Sequence, residues 1–213
     1  MKSLRQFIFE KIKHLSHNIS GIIVFDIDDT ILKVDSSLIS IYKKTDKGEI
    51  ALSTEEFAQD PDASDKSKSH LFDFRDFNNP IKVYNSIISG TPLIKNLKIM
   101  DDYINAGYDF CFLTARGCED VIKNALDDFL KIRKNNGALE KLGSSFNKTF
   151  SHAVNDKFKN YPGSTDAEKK ANCLKNLCKQ YDKVVFVDDD HKNVSAARNL
   201  KISNLTVIKA WDE

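Results

Sequence analysis

The chain has 213 residues, of which 41% are hydrophobic and 30% are charged, a balance typical of folded domains that argues against a disordered chain. The length suits one large domain or one domain with an insert. The 32 basic and 31 acidic residues leave a net charge of +1, which gives no support to nucleic-acid binding, and no apolar run approaches the roughly 18 residues of a transmembrane helix.

The first 20 residues form a separate predicted unit. Their apolar side chains recur at helical spacing: Leu4, Phe7, Ile8, Ile12 and Leu15. Basic residues lie on the other faces, so the pattern predicts a basic amphipathic helix over residues 1–20. Such a helix can cover a domain core, lie on a membrane surface or act as a transit peptide, and we favour the first interpretation.

From residue 21 onward, short apolar runs alternate with helical patterns. Strands are predicted over 21–25, 108–113 and 183–187, with a further apolar run at 205–208 and a weaker candidate at 150–154. Helices are predicted over 93–106, 119–133, 166–181 and 193–199. This alternation predicts a Rossmann-like, doubly wound parallel sheet with helices on both faces. We assign this α/β core to residues 21–32 and 91–213.

Residues 33–90 interrupt the alternation and predict a small flap or cap insert after the first strand. A β-hairpin is expected over 37–53 with its turn at Gly48, followed by a mobile polar loop over 60–70. An aromatic stretch comes next, and its rings either stack on a nucleobase or form the core of the cap: Phe72, Phe74, Phe77 and Tyr84.

Polar side chains follow three of the predicted strands. Asp26 and Asp28 follow the first, Thr114 ends the second, and Asp188 and Asp189 follow the third. The period of two in a strand aims Asp26 and Asp28 to one side, and the carboxyl ends of parallel strands meet at one edge. Carboxylates crowded there require a cation, and Mg²⁺ prefers oxygen ligands. The sequence therefore predicts a magnesium site at this edge.

Together these segments resemble the haloacid dehalogenase-like phosphatases. The first motif of that family is matched by FDIDDT and the second by FLTAR, while EKKANCL followed by VVFVDDD resembles the third and fourth. The order and spacing agree, and the resemblance covers residues 21–29 and 92–210. It implies a Mg²⁺-dependent phosphomonoesterase that works through an aspartyl-phosphate intermediate.

The resemblance also implies roles for individual residues. Asp26 would be the nucleophile, and Asp28 would protonate the leaving oxygen and then activate water. Mg²⁺ would be held by Asp26, the backbone carbonyl of Asp28 and Asp188. Asp189 would be a further ligand or would orient the metal shell or the lysine. Thr114 would donate a hydrogen bond to a phosphoryl oxygen.

The lysine of the third motif has more than one candidate. Lys170 fits best, because the apolar Leu174 follows it by four positions. Lys169 is the alternative and would face about 100° away on the same helix; beyond this role it is a candidate for substrate binding. Lys157 is an outside candidate.

Other polar residues near the motifs have more than one interpretation. Arg116 would bind a substrate phosphate or carboxylate, or form a structural ion pair. Thr30 would assist substrate binding through its hydroxyl and backbone. Asp29 is expected to form a turn, and Asp190 to cap the helix that begins near residue 193.

The expected substrates are phosphorylated small molecules or nucleic-acid ends, with nucleotides and 3′-phosphate ends first. Sugar phosphates, phosphoproteins and a non-catalytic phosphate- or partner-binding module are the alternatives. The four cysteines form no CxxC pair and are expected to be reduced thiols. With no secretory signal in the sequence, they predict a cytoplasmic location.

Overall fold

The computed structural model describes residues 20–35, 37–133, 150–153 and 161–210. The strands in this part of the chain are β1 (Gly21–Phe25), β2 (Leu32–Lys33), β3 (Ile41–Thr45), β4 (Gly48–Leu52), β5 (Phe72–Asp73), β6 (Thr91–Pro92), β7 (Asp109–Thr114), β8 (Phe150–Ala153), β9 (Lys183–Asp188) and β10 (Leu205–Lys209). The α-helices are α1 (Thr54–Gln59), α2 (Pro80–Ser89), α3 (Ile94–Asn105), α4 (Glu119–Arg133), α5 (Asp166–Gln180) and α6 (His191–Asn199). The predicted helix over residues 1–20 lies outside the described residues, apart from Ser20.

Five strands form the central sheet in the order β10-β9-β1-β7-β8, and all neighbouring pairs are parallel. Alternate residues of β1 pack on opposite faces: Ile23 lies in one apolar cluster and Ile22 in the other. The first cluster includes residues of α2, α3 and α4, and the second includes residues of α5 and α6. Helices therefore cover both faces, which explains why the strands are nearly all apolar and confirms the predicted Rossmann-like α/β core.

The path of the chain through this sheet creates a crevice where the order of the strands reverses. β1 is central, and the chain first builds β7 and β8 on one side of it, then crosses to build β9 and β10 on the other. Ligand sites in open parallel sheets lie beyond the carboxyl ends of the strands at such a reversal. The expected site therefore lies between the ends of β1 and β9.

Capping residues mark the starts of two of the predicted helices. Thr165 is the N-cap of α5 and forms a capping box with Glu168, and the helix starts at Asp166 as predicted. Asp190 caps α6 by accepting a hydrogen bond from the backbone of Lys192. This helix begins at His191, two residues earlier than predicted, because its cap lies only two residues after Asp188, where β9 ends.

The insert has more regular structure than the sequence predicts. β3 and β4 form the expected hairpin, and β5 pairs with β3 on its other side. The expected polar loop contains two 3-10 helices, Pro61–Ser64 and Lys66–Leu71, whose start is held by ion pairs from Lys43 to Asp60 and Asp62. The helix α2 was not predicted, although Asn79 at its N-cap and Pro80 at its first position are signals of a helix start.

The aromatic residues of the insert pack mainly on one another. Phe57 makes edge-to-face contacts with Phe72 and Phe74, and Phe74 makes one with Phe77. Phe77 is buried, and the Tyr84 hydroxyl donates a hydrogen bond to a carboxylate of α4. Of the two interpretations offered by the sequence, these contacts favour a core of the insert over stacking on a base.

A buried carboxylate, Asp76, joins the strands and the helix of the insert. It is 4% exposed and accepts hydrogen bonds from the Ser40 backbone (3.2 Å), the Tyr42 hydroxyl (3.0 Å) and the Lys82 ammonium (2.7 Å). Burial by itself would raise the pKa of Asp76, but the bonds from Lys82, Tyr42 and Ser40 outweigh it and lower the pKa. Asp76 is therefore expected to stabilise the fold in its ionised form.

Replacing Asp76 with Ala should lower the free energy of unfolding by about 2–3 kcal/mol at pH 7, because three donors lose their acceptor. A lowered folded-state pKa means that this stabilisation is present above the unfolded pKa of about 3.9 and is lost as the pH falls through the folded value. Urea unfolding at several pH values measures both effects. The exposed Asp102 on α3 provides the control: Asp102→Ala should change stability by no more than about 0.5 kcal/mol. Equal losses for the two variants would contradict the prediction.

Candidate active site

The centre of the candidate site is an ammonium shared by two carboxylates. Asp26 directly follows β1 and Asp188 ends β9, and the pairing of these strands places them side by side. The Lys170 Nζ atom on α5 donates to Asp26 Oδ1 at 2.7 Å and to Asp188 Oδ2 at 2.9 Å. Lys170 is 3% exposed and Asp188 is fully buried. Asn193 on α6 donates to both oxygens of Asp188, which fixes the orientation of that carboxylate.

Electrostatics keep Lys170 charged. Burial alone would lower the pKa of Lys170, but the negative charges of Asp188 and Asp26, with the hydrogen bonds to both, outweigh burial and raise the pKa. Lys170 is therefore a permanent cation at neutral pH. Its position beside the Asp26 carboxylate suits it to neutralise charge that approaches that oxygen.

The carboxylates at this edge exceed the cations that pair with them. Burial raises the pKa of Asp26, and Asp188, Asp189 and Asp28 raise it further, against the lowering effect of Lys170. Burial and the charge of Asp188 raise the pKa of Asp189 to about 7, although a hydrogen bond from Thr30 opposes the increase. Burial is the largest cause of both shifts, and the neighbouring negative charges that add to it are what another cation would relieve.

Contacts of Asp29 and Thr30 hold the loop that follows β1. Asp29 has a positive φ of 54°, its backbone N–H donates to the Leu32 carbonyl, and its carboxylate accepts from the Thr54 hydroxyl, as a turn former would. The Thr30 hydroxyl donates to Asp189 Oδ1 at 2.9 Å and accepts from the Asp189 backbone N–H at 3.1 Å. Thr30 is fully buried, so this structure uses it to hold Asp189.

Asp28, two residues after Asp26, is paired with Arg116. The Nε and Nη2 atoms of Arg116 donate to the two oxygens of Asp28 at 2.8 and 2.5 Å. The third donor, Nη1, contacts the Ser86 hydroxyl on α2 at 2.6 Å. Arg116 has no exposed surface, and in this structure it is ion-paired with Asp28.

The remaining predicted residues are placed as follows. Thr114 ends β7, next to β1, is buried, and its hydroxyl accepts from the Arg116 backbone N–H at 3.2 Å. Lys169 pairs with Asp166 at 4.0 Å within α5; the ammonium that contacts the acidic groups is that of Lys170. Lys157 lies outside the described residues. The structure thus brings Asp26, Asp188 and Lys170 into direct contact.

The donor set is compatible with a magnesium ion. Four carboxylates, those of Asp26, Asp28, Asp188 and Asp189, share this edge with two buried cations, Lys170 and Arg116. Within the described ranges, no three acidic, imidazole or thiol groups form a ready-made metal cluster. Mg²⁺ is commonly held by only one or two carboxylates together with water and substrate phosphate, which fits a site of this composition.

Two residues of the site were missed by the sequence analysis. Asn193 lies five positions after Asp188 in the first turn of α6, and a polar side chain so close to an acidic strand end was a usable signal. Ser86 lies on the unpredicted helix of the insert, 30 positions from Arg116. No local pattern marks that contact.

Comparison with known proteins gives no identification. No protein-family model matches the chain, and no curated protein matches it significantly. Among the described residues, no helix has the length and apolar character needed to cross a membrane.

Proposed function

We propose that this chain is a Mg²⁺-dependent phosphomonoesterase of the haloacid dehalogenase-like type that works through an aspartyl-phosphate on Asp26. The observation that supports this most is the Lys170 ammonium held between Asp26 and Asp188 at the reversal point of the sheet. A nucleophilic carboxylate needs such a cation, because the phosphate that approaches it is also negative.

In the proposed reaction an oxygen of Asp26 attacks phosphorus, and the bond from phosphorus to the leaving oxygen breaks. Asp28, which first takes a proton from solvent, gives that proton to the leaving oxygen, so the alcohol leaves neutral. Asp28 then takes a proton from water, whose oxygen attacks the same phosphorus and breaks its bond to Asp26. Inorganic phosphate is released, and both carboxyl groups return to their starting states.

Among the described residues, side-chain donors contact only the Oδ1 atom of Asp26. Oδ2 is therefore the oxygen better placed to attack. Thr114 would donate its hydroxyl proton to a phosphoryl oxygen, since its oxygen already accepts the backbone N–H of Arg116. Lys170 would stabilise the charge that develops between Asp26 and phosphorus.

A magnesium ion would be held by Asp26, the backbone carbonyl of Asp28 and Asp188, with Asp189 as a further ligand or as a group that orients the shell. When bound, it would neutralise phosphate oxygens during transfer. Because the acidic groups outnumber the paired cations, this additional positive charge suits the site.

Within the phosphomonoester class, nucleotides and nucleic-acid 3′-phosphate ends remain our first proposed substrates, with sugar phosphates and phosphoproteins next. The packing of Phe72 and Phe74 against Phe57 within the insert weakens base stacking as an argument for nucleotides, and of these two rings only that of Phe74 is exposed. A cytoplasmic location is also part of the proposal, because none of the four cysteines, all of them described residues, forms a disulfide.

Chelation provides the first test of the proposed function. Addition of EDTA should reduce hydrolysis of 4-nitrophenyl phosphate to the background rate, and excess Mg²⁺ should restore it, because the approaching phosphate would otherwise meet uncompensated carboxylates. Release of nitrophenol is followed by absorbance, and circular dichroism checks that the fold survives chelation.

Activity that is unchanged by the chelator would contradict the proposal. Folded protein without turnover in Mg²⁺ would instead favour a non-catalytic phosphate-binding module, provided that a panel of nucleotides, 3′-phosphate oligonucleotides and sugar phosphates also gives none.

A further inference from the structure

We propose that Ser86 and Arg116 form a positioning relay through which the insert helix α2 orients Asp28. This inference rests on the proposed function, in which Asp28 transfers the proton. Arg116 and Ser86 touch neither substrate nor phosphorus in this proposal. They are positioning residues whose effect is on the direction in which the Asp28 carboxyl group points.

All three nitrogens of the Arg116 guanidinium have hydrogen-bond partners. Two of its nitrogens donate to the two oxygens of Asp28, and the third donates to Ser86 Oγ at 2.6 Å. Its carbon lies 5.8 Å from the centre of the Phe77 ring. The group is planar with donors in a rigid fork, so the position of Ser86 determines the direction in which the fork meets Asp28.

Ser86 is itself held in one orientation. Its hydroxyl donates to the Val83 carbonyl at 2.9 Å within α2 and is fully buried. A hydroxyl has one proton, so with that proton on Val83 its oxygen lone pairs face Arg116. The relay therefore has a defined polarity: Val83 accepts from Ser86, Ser86 accepts from Arg116, and Arg116 donates to Asp28.

The loop that carries Arg116 is also attached to the insert through its backbone. The Gly117 N–H donates to the Phe77 carbonyl at 3.0 Å, and the Cys118 thiol donates to the Asn78 carbonyl at 3.3 Å. A β-carbon at Gly117 would lie 2.4 Å from the Asn78 side chain, so the two segments are in close contact. The insert is thus tied to the loop after β7, which makes it a fixed support for Asp28.

The relay predicts a loss that depends on the leaving group. A nitrophenolate leaves without help from a proton, whereas an alkoxide needs one. Ser86→Ala should lower kcat/KM for an alkyl phosphate about tenfold and that for 4-nitrophenyl phosphate by less than about threefold, within the range of general acid catalysis. Arg116→Lys, which removes the two-pronged contact, should show the same selectivity with a larger loss. The kcat/KM value reports the steps up to leaving-group release, so breakdown of the aspartyl-phosphate does not affect the comparison.

Ser89 on the same helix is exposed and provides the matched control. Ser89→Ala should leave both kcat/KM values unchanged. Equal losses for the two substrates in Ser86→Ala, or no loss for either, would overturn the relay while leaving the proposed function intact. No Mg²⁺-dependent turnover of either substrate by the wild-type chain would overturn both. If Arg116→Lys does not fold, Ser86→Ala, which removes a single oxygen, decides the result.

Discussion

Replacing Asp26 with Asn is expected to abolish Mg²⁺-dependent hydrolysis of 4-nitrophenyl phosphate, with a loss of about four orders of magnitude or more. An amide oxygen is too weak a nucleophile to displace the leaving group. It is still an acceptor of nearly the same shape, so the hydrogen bond from Lys170 to Oδ1 and the fold should survive. Steady-state kinetics and a thermal unfolding curve measure the two effects.

The control is Asp182→Asn, which makes the same chemical change at the other end of the sheet. Asp182 accepts a hydrogen bond from the Ser20 backbone just before β9 begins, far from the carboxyl ends of the strands. This variant should retain wild-type activity. Full activity in Asp26→Asn would contradict the proposed nucleophile. Beryllium fluoride, which forms acyl-phosphate mimics on carboxylates, should add to the wild-type chain and not to Asp26→Asn.

The α/β core could be predicted because short sequence patterns within each strand or helix indicate that element. The strand at 21–25 is apolar at every position since both of its faces are covered. The helix from Asp166 begins at a capping box whose two members lie three residues apart. Patterns of this kind need no knowledge of the rest of the chain.

The insert was predicted less well because its regular structure depends on contacts between distant residues, which no local sequence pattern shows. The 3-10 helices after Asp60 carry few apolar residues, and their start is held by Lys43 from a neighbouring strand. Helix α2 is only ten residues long, too short for a strong periodic pattern. Its Asn-Pro start was the usable signal.

The candidate site, like the fold, was predictable only where local motifs mark its residues. Asp26 and Lys170 are 144 positions apart, yet both lie in segments that resemble known motifs, so their proximity was expected. The pairing of Arg116 with Asp28 was open, since an arginine two positions after Thr114 fits either a substrate or a carboxylate. In this structure Arg116 is buried and contacts Ser86 of α2, and no local pattern indicates that packing of α2 over the loop.

The second large effect is expected at Lys170. Replacing it with Met keeps the apolar stem but removes one of the two buried cations that face four carboxylates. Catalysis should fall by about 10³-fold, because Asp26 would meet the phosphate without its neutralising partner. Stability should fall as well, since removal of one partner of a buried ion pair costs about 3–5 kcal/mol. Protonation of Asp26 would relieve part of that cost.

Lys169→Met is the matched control, because it makes the same substitution one position earlier on the same helix. Lys169 is paired only at 4.0 Å with Asp166, whose side chain is half exposed, so its loss should change kcat/KM by less than about threefold and stability by less than about 1 kcal/mol. The two variants have equal net charge and equal helix propensity, so a difference between them isolates the ammonium that lies between Asp26 and Asp188. A larger loss of rate in Lys169→Met would assign the motif lysine to that residue and would require α5 to turn by about 100° from its position here. Equal and small losses would contradict the proposal that a cation beside Asp26 assists phosphoryl transfer.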